Sequence, residues 1–162
     1  MSDNEQIEKA KAVGHIPSGL FIVTARADSG AIDGYLASWV QQVSFSPLLV
    51  SLAINPSRPG YASIMEGNVF TINIVGEHES QYLRHFYKGY APGQGPFGEI
   101  PHFVSDQGGV VIEAAKSAID CRLTQKIKPG DHEIIIAEVL ASHVNNAEAK
   151  PKTYVRKSGL DY

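Results

Sequence analysis

The sequence has little cysteine, little net charge and no long apolar run. Its only cysteine is Cys121, which excludes an internal disulfide framework and a zinc or iron–sulfur site built from several cysteines, and we expect no metal site. The formal net charge of -3 gives nucleic acid or an anionic membrane no reason to bind. No apolar run approaches the roughly 20 residues that span a bilayer, and residues 1–11 are polar, unlike a secretory signal. We expect a cytoplasmic protein whose partners are small molecules and whose redox chemistry, if any, comes from a bound cofactor.

The composition is otherwise that of an ordinary globular protein. With 162 residues, 43% of them hydrophobic and 19% charged, the chain is long enough to bury a core as one domain over residues 1–162. Signals for helices are few. We predict helices over residues 4–13, with Ser2 and Glu5 as a capping box, over residues 61–66, ended by Gly67, and over residues 79–87.

Strand patterns dominate the rest of the chain. Residues 20–25 and 32–43 flank a turn composition and indicate a hairpin, while residues 48–54 form a continuous apolar run, typical of a strand buried on both faces. About seven short strands, with a long Gly- and Pro-rich loop over residues 88–105, predict a closed or two-layer β architecture. The remaining strands are predicted over residues 69–75, 110–114, 119–124 and 132–144, the third of them with Ile119, Cys121 and Leu123 facing the core and Asp120, Arg122 and Thr124 facing solvent.

A polar stretch interrupts the second strand of the predicted hairpin. Four polar side chains occur where a core strand is otherwise expected, and polar groups near a core need partners. A heterocycle with many hydrogen-bond donors and acceptors would supply such partners; an edge strand with solvated side chains is the alternative. The four residues are Ser38, Gln41, Gln42 and Ser44.

Two further segments suggest ligand contacts. Residues 55–60 follow the most apolar strand, and Ser57 and Arg58 could hold a phosphate there, although the same sequence also suits a surface turn. His132 follows a Gly-Asp turn and could face a cofactor or a dihydropyridine, or lie in water at a hairpin tip. Both interpretations remain open on these residues alone.

Several segments carry a family resemblance over nearly the whole chain, from Ile16 to Tyr162. Together they resemble the flavin reductase-like, FMN-binding split-barrel family, including the flavin reductase module of some flavodiiron proteins. The segments are residues 16–20 (IPSGL), 37–47 (ASWVQQVSFSP), 70–74 (FTINI), 85–93, 130–132 (GDH) and 156–159 (RKSG).

The resemblance implies a fold and an activity. The fold is mainly β, a split β-barrel of the Greek-key type with a few short helices. The activity is NAD(P)H-dependent reduction of FMN with onward electron transfer, the flavin being FMN or FAD and the reductant NADH or NADPH. The alternatives are a non-catalytic FMN-binding protein for electron transfer or flavin storage, and a cofactor-free interaction domain. Family members are usually homodimers with flavin at the subunit boundary, and an electron-acceptor protein is a further expected partner.

The resemblance also implies roles for residues. The flavin ring lies against residues 37–40, Gln41 lies near the ribityl chain, and Ser57 and Arg58 bind the phosphate. His132, the predicted catalytic residue, lies near the face where a nicotinamide stacks and orients it. The full predicted flavin-binding set is Leu36, Ala37, Ser38, Trp39, Val40, Gln41, Asn55, Ser57, Arg58, Pro59, His85 and Phe86.

Overall fold

Two α-helices lie within a mainly β chain in the computed structural model, which describes residues 3–79 and 81–162. Helix α1 spans Asp3–Gly14 and α2 spans Tyr61–Gly67, which confirms the first two predicted helices; the predicted cap Ser2 lies outside the described residues. Neither of these two helices is long and apolar enough to cross a membrane.

The third predicted helix, over residues 79–87, is wrong. The described part of this segment contains one 3₁₀ turn, Leu83–His85. Leu83 and Phe86 are buried in a core cluster, and a single turn is enough to direct both side chains inward. A nine-residue helix without further packing is too short to be stable on its own.

Eleven strands make up most of the remaining regular secondary structure in the described residues. Seven of them form one sheet in the order β3-β2-β6-β9-β10-β5-β4, and two pairs, β1 with β11 and β7 with β8, form small separate sheets. The strands are β1 Ser18–Gly19, β2 Phe21–Arg26, β3 Ile32–Ala37, β4 Val40–Ser44, β5 Leu49–Ile54, β6 Val69–Ile74, β7 His102–Val104, β8 Val110–Ile112, β9 Ser117–Ile127, β10 Glu133–Val144 and β11 Thr153–Tyr154.

The large sheet is rolled, as its connectivity requires. Strands β3 and β4 are its two outer strands, yet only Ser38 and Trp39 join them. A flat seven-stranded sheet would be about 29 Å wide, whereas the chain from Ala37 to Val40 can span about 11 Å at most. The two edges therefore meet, and we call the Ser38–Trp39 connection the seam.

The interior of the rolled sheet holds the main core. Its largest fully buried side chains come from β5, β6 and β10 and include Leu52, Ile54, Phe70, Ile72 and Ile135. A second cluster packs outside the sheet, where the 3₁₀ turn and β8 cover β2. The two clusters fix the positions of β3, which leads into the seam, and of β5, which pairs with β4 beyond the seam.

Two strand predictions need correction. The single predicted strand over residues 32–43 is two strands, β3 and β4, because the chain changes edge at the seam. The strand predicted to be buried on both faces, β5, buries alternate residues only; Leu52 is fully buried while Ser51 and Ala53 are half-buried. Strand β5 pairs with the edge strand β4, and the β5 residues that point away from the core are only partly covered.

Asp120 on β9 is not on a solvent face, contrary to the prediction. It is fully buried, because the β7–β8 hairpin covers the outer side of the sheet. Its Oδ1 accepts a hydrogen bond from Thr71 (2.7 Å) and its Oδ2 one from Ser105 (2.6 Å), with Nε2 of His143 at 2.9 Å from Oδ2. This carboxylate ties β6, β9, β10 and the hairpin together.

The long loop over residues 88–105 lies against β3. It contains a 3₁₀ turn, Pro96–Gly98, and ends in β7, so it is not wholly irregular. The Tyr90 hydroxyl accepts from Gly34 N at 2.6 Å and donates to Gly34 O at 2.7 Å, and Gly93 N donates to Asp33 Oδ1 at 2.7 Å. These bonds hold the loop beside the strand that leads into the seam.

Candidate functional site

Clefts surround the seam on several sides. The first, which we call the ring cleft, has a volume of about 280 Å³ and is enclosed mainly by apolar side chains, with Arg58 and Lys152 as its cations. Its apolar walls suit a flat, largely apolar ligand, and its two cations suit an anionic substituent on that ligand. It is lined by Leu20, Leu36, Ala37, Ser38, Arg58, Phe86, Tyr87, Lys152, Tyr154 and Tyr162.

A second, more open cleft of about 550 Å³ lies across the seam and shares Ser38 and Lys152 with the ring cleft. Trp39, Val40 and Gln41 line it, so two of the four polar residues that interrupt the predicted strand, Ser38 and Gln41, border a cavity. Gln42 is exposed on the outer strand β4, which agrees with the alternative of an edge strand with solvated side chains. Strand β4 reaches this position because it begins immediately after the seam.

The turn over residues 55–60 presents its arginine, rather than its serine, to the ring cleft. Asn55 Oδ1 accepts bonds from the backbone N and the hydroxyl of Ser57, at 3.0 and 2.8 Å. Ser57 is exposed and already has a partner, whereas Arg58 lines the ring cleft. Gly60 has φ +88, a left-handed conformation that glycine adopts at little cost and that directs the chain into α2.

An aromatic and cationic cluster lies beside the seam. The ring of Trp39 lies 4.9 Å from that of His132 and 5.8 Å from that of Tyr162, between centroids. Cζ of Arg156 lies 5.0 Å from the Trp39 ring, and Cζ of Arg58 lies 4.8 Å from the Tyr162 ring. Guanidinium groups stack favourably on such ring faces.

His132 is held by hydrogen bonds to both ring nitrogens. Its Nδ1 lies 2.9 Å from Oδ1 of Asp131, and its Nε2 is hydrogen-bonded to the Tyr162 hydroxyl. The hydrogen bond from His132 holds the pKa of Asp131 below its ordinary value. Together with Trp39, Asn55 and Arg156, these residues line a third cleft of about 390 Å³, the histidine cleft.

The structure brings most of the predicted site residues to the seam. Leu36, Ala37, Ser38, Arg58 and Phe86 line the ring cleft, Trp39, Val40 and Gln41 line the second cleft, and Asn55 and His132 line the histidine cleft. Pro59 is buried in its turn, and His85 lines a separate cavity of about 400 Å³ beside Tyr90. The role of each residue stays a prediction.

Sequence reasoning missed several residues of this region, among them Lys152, Arg156 and Tyr162. Lys152 belongs to a basic segment over residues 150–157, which the family resemblance suggests as a dimer contact and not as part of the flavin site. Arg156 and Tyr162 come from the C-terminal segment, which docks on α1 through bonds from Arg156 N to Gly14 O (3.1 Å) and from Gly159 N to Ala10 O (2.6 Å). No local spacing connects these residues to the seam more than 110 positions earlier.

The fold and the site define a mainly β split barrel with a ligand cleft where the sheet edges meet. Residues 13–159 match the flavin reductase like domain family, and the chain belongs to this family.

A relative agrees with that assignment, and solved structures share the fold. A protein of Nostoc sp. named as a diflavin flavoprotein A 1 is 34% identical over 163 residues, which cover 99% of this chain and 28% of the relative; the chain thus spans little more than a quarter of that protein. The NADH:FAD oxidoreductase SgcE6 of Streptomyces globisporus has a TM-score of 0.81 at 20% identity, covering 90% of this chain and 85% of its own. The styrene monooxygenase flavin reductase of Pseudomonas putida has a TM-score of 0.78 at 19% identity, covering 90% of each chain. The predicted split-barrel fold is confirmed.

The residues at the seam fit a flavin nucleotide. The ring cleft combines apolar walls with two cations, which matches a flat ring that carries a phosphate. In addition, the hydroxyl of Tyr35, a residue only 5% exposed, has no hydrogen-bond partner among the described residues. Tyr35 lines a pocket of about 10 Å³ that also includes Arg58 and Ser38, and a single polar atom of a ligand reaching into it from the ring cleft would satisfy this hydroxyl.

Proposed function

We propose that this protein is a flavin reductase that binds FMN at the seam and reduces it with NADH or NADPH. The observation that carries the proposal is the ring cleft, where apolar walls from β3 and Phe86 face the cations Arg58 and Lys152. A bound flavin would supply the redox chemistry, by accepting a hydride from the nicotinamide and passing electrons to an acceptor. The protein's part is then to bind, align and shield the two reactants.

The residues divide this work. Leu36, Ala37 and Phe86 would exclude water from the ring, because they form the apolar wall of the ring cleft. Arg58 would pair with the phosphate and favour negative charge in the cleft. His132, fixed by Asp131 on one side, would orient the nicotinamide beside Trp39 without transferring a proton.

The first experiment is a titration of the purified protein with FMN and with riboflavin, followed by quenching of flavin fluorescence. Binding of FMN is expected. Anaerobic stopped-flow mixing of the FMN complex with NADH or NADPH should then bleach the flavin absorbance at catalytic speed. If FMN does not bind, the proposal is lost; slow bleaching with tight binding would instead indicate an electron-transfer or storage protein.

Arg58→Leu tests the assignment of the phosphate contact. Loss of a charge-assisted bond should weaken FMN binding about tenfold or more, while riboflavin, which has no phosphate, should keep its affinity. The matched control is Arg26→Leu. Strand β2 pairs Phe21 with Ala37 beside the seam and Arg26 with Ile32 at the opposite end, so this arginine lies far from the site. Equal weakening of both flavins by Arg58→Leu would contradict the assignment.

Assembly and electron transfer complete the proposal. The β4–β5 hairpin exposes apolar side chains at and near its tip, toward the end of β4 that lies away from the seam: Phe45 is 90% exposed, Val43 50% and Leu48 45%. An apolar hairpin tip of this kind supports a homodimer, and the family resemblance is the ground for proposing the flavin near the subunit boundary. The matched relative is longer and is named as a diflavin protein, which supports onward transfer to a second redox protein or domain. Light scattering of the purified protein, with Phe45→Ser as the dissociating variant, tests the dimer.

A further inference from the structure

Tyr162 touches both functional ends of the proposed site. Cζ of Arg58 lies 4.8 Å from the centroid of its ring, and its hydroxyl is hydrogen-bonded to Nε2 of His132. Tyr162 also lines the ring cleft and the histidine cleft. One side chain therefore connects the proposed phosphate ligand to the proposed nicotinamide-binding residue.

Tyr162 forms a wall of the site and does not fill it. With its side chain in place, the ring cleft keeps a volume of about 280 Å³ and the histidine cleft about 390 Å³. Tyr162 lines both clefts and is itself 58% exposed, so each cleft keeps open space beside it.

The contact with Arg58 prepares the guanidinium for an anion. Arg58 lies over the Tyr162 ring, and a guanidinium that turns its flat face to a ring keeps the N–H groups along its edge for bidentate bonds to a phosphate. Stacking also restricts a long side chain that otherwise loses much rotamer entropy on binding. The ring of Tyr162 thus orients Arg58 before the ligand arrives.

The contact with His132 selects a tautomer. The carboxylate of Asp131 can only accept, so Nδ1 of His132 carries the hydrogen in the bond between them. In the neutral imidazole, Nε2 is then the acceptor, and the Tyr162 hydroxyl donates to it. The hydroxyl and the carboxylate together fix the plane of the imidazole.

We propose that Tyr162 is a positioning residue of the flavin and nicotinamide site, which holds Arg58 through its ring and His132 through its hydroxyl. The inference rests on the proposed function. It assigns the two contacts to different parts of one side chain, so that two substitutions separate them.

Tyr162→Phe keeps the ring and removes the hydroxyl. FMN affinity should stay within about twofold of the unchanged protein, because the stacking on Arg58 persists. The ¹⁵N NMR signals of the two ring nitrogens of His132, assigned by comparison with His132→Gln, should shift at a pH where the imidazole is neutral, because Nε2 loses its donor. Unchanged ¹⁵N signals would overturn the assignment of the hydroxyl.

Tyr162→Leu removes both contacts. FMN affinity should fall about fivefold, the size of a partly exposed cation–π contact, whereas riboflavin affinity should change less than about twofold. Val155→Ala, at an exposed position of the same segment, is the control and should leave both affinities and the ¹⁵N signals unchanged. Circular dichroism of each variant confirms that the sheet is intact.

The outcomes separate this inference from the function on which it rests. If the unchanged protein binds FMN but Tyr162→Leu binds FMN equally well, the positioning role is refuted and the flavin site stands. Equal weakening of FMN and riboflavin by Tyr162→Leu would indicate a purely structural role and would also refute it. If the unchanged protein binds neither flavin, the proposed function fails and the inference fails with it.

Discussion

Asp120→Asn tests whether a buried carboxylate joins the β7–β8 hairpin to the large sheet. Thr71 donates to one oxygen of Asp120, and Ser105 donates to the other, which also lies 2.9 Å from Nε2 of His143. An asparagine of nearly the same size has one oxygen and one NH₂ group. Whichever way the amide is turned, its NH₂ group faces at least one of these donors, which must then accept a bond from the NH₂ group instead of donating to a charged oxygen.

The cost follows from the bonds lost. A hydrogen bond to a charged group contributes about 1.5–3 kcal/mol, about twice as much as a neutral one; the substitution makes each of these bonds neutral or breaks it, and it removes the negative charge beside His143. We expect a loss of about 3 kcal/mol in the free energy of unfolding. For a protein of this size, that loss corresponds to a fall in Tm of about 6–12 °C.

The assay is thermal and urea unfolding followed by circular dichroism. Asp106→Asn is the control: it removes a carboxylate from the same β7–β8 turn, but Asp106 is exposed, so its Tm should stay within about 1 °C. An Asp120→Asn protein that melts with the unchanged protein would show that the carboxylate does not stabilise the fold, and the reasoning would fail.

Three further predictions concern other positions. A Cβ on Gly109 would lie 2.0 Å from Oδ1 of Asp120, so Gly109→Ala should cost about 2–4 kcal/mol in urea unfolding, while Gly98→Ala, with no atom within 4 Å of its added Cβ, should be neutral. The hydrogen bond from Tyr61 and the nearby Lys126 hold the pKa of Glu133 below its ordinary value of 4.5. The stability that this lowered pKa provides is present above pH 4.5 and is lost as the pH falls through the lowered pKa. Glu133→Gln should therefore flatten the fall in the urea midpoint of unfolding that is measured as the pH is lowered. Burial raises the pKa of Cys121 to about 12, so the native thiol should not react with Ellman's reagent at neutral pH and should react fully after unfolding; rapid reaction of the native protein would contradict this burial.

Local sequence patterns predicted helix α1 and the β2–β3 hairpin. Helix α1 is rich in polar residues and ends at a glycine, and the β2–β3 hairpin has turn residues between two apolar runs, so neighbouring residues determine each element. The resemblance supplied the split-barrel fold and most of the residues that the structure places around the seam.

The remaining features depend on contacts between distant parts of the chain. An alternating pattern predicts a solvent face only when nothing covers it, and the β7–β8 hairpin covers Asp120 on β9. The break at Ser38 and Trp39 has no breaker residue, because it arises from the change of sheet edge. Tyr162 reaches Arg58 and His132 only because the segment that carries it docks on α1, a contact between the two ends of the sequence.

The seam gives the outer strand β4 an unusual dependence on whatever occupies the clefts. This strand has a single hydrogen-bonded neighbour, β5, in the large sheet, and the two residues that lead into it border the clefts: Ser38 lines the ring cleft and the second cleft, and Trp39 lines the second cleft. A molecule wedged there would clamp the free margin of the sheet, so amide exchange along β4 should slow when the clefts are filled. Occupancy of the clefts and the rigidity of β4 are thus coupled, and an empty site would be detected as fraying along this margin.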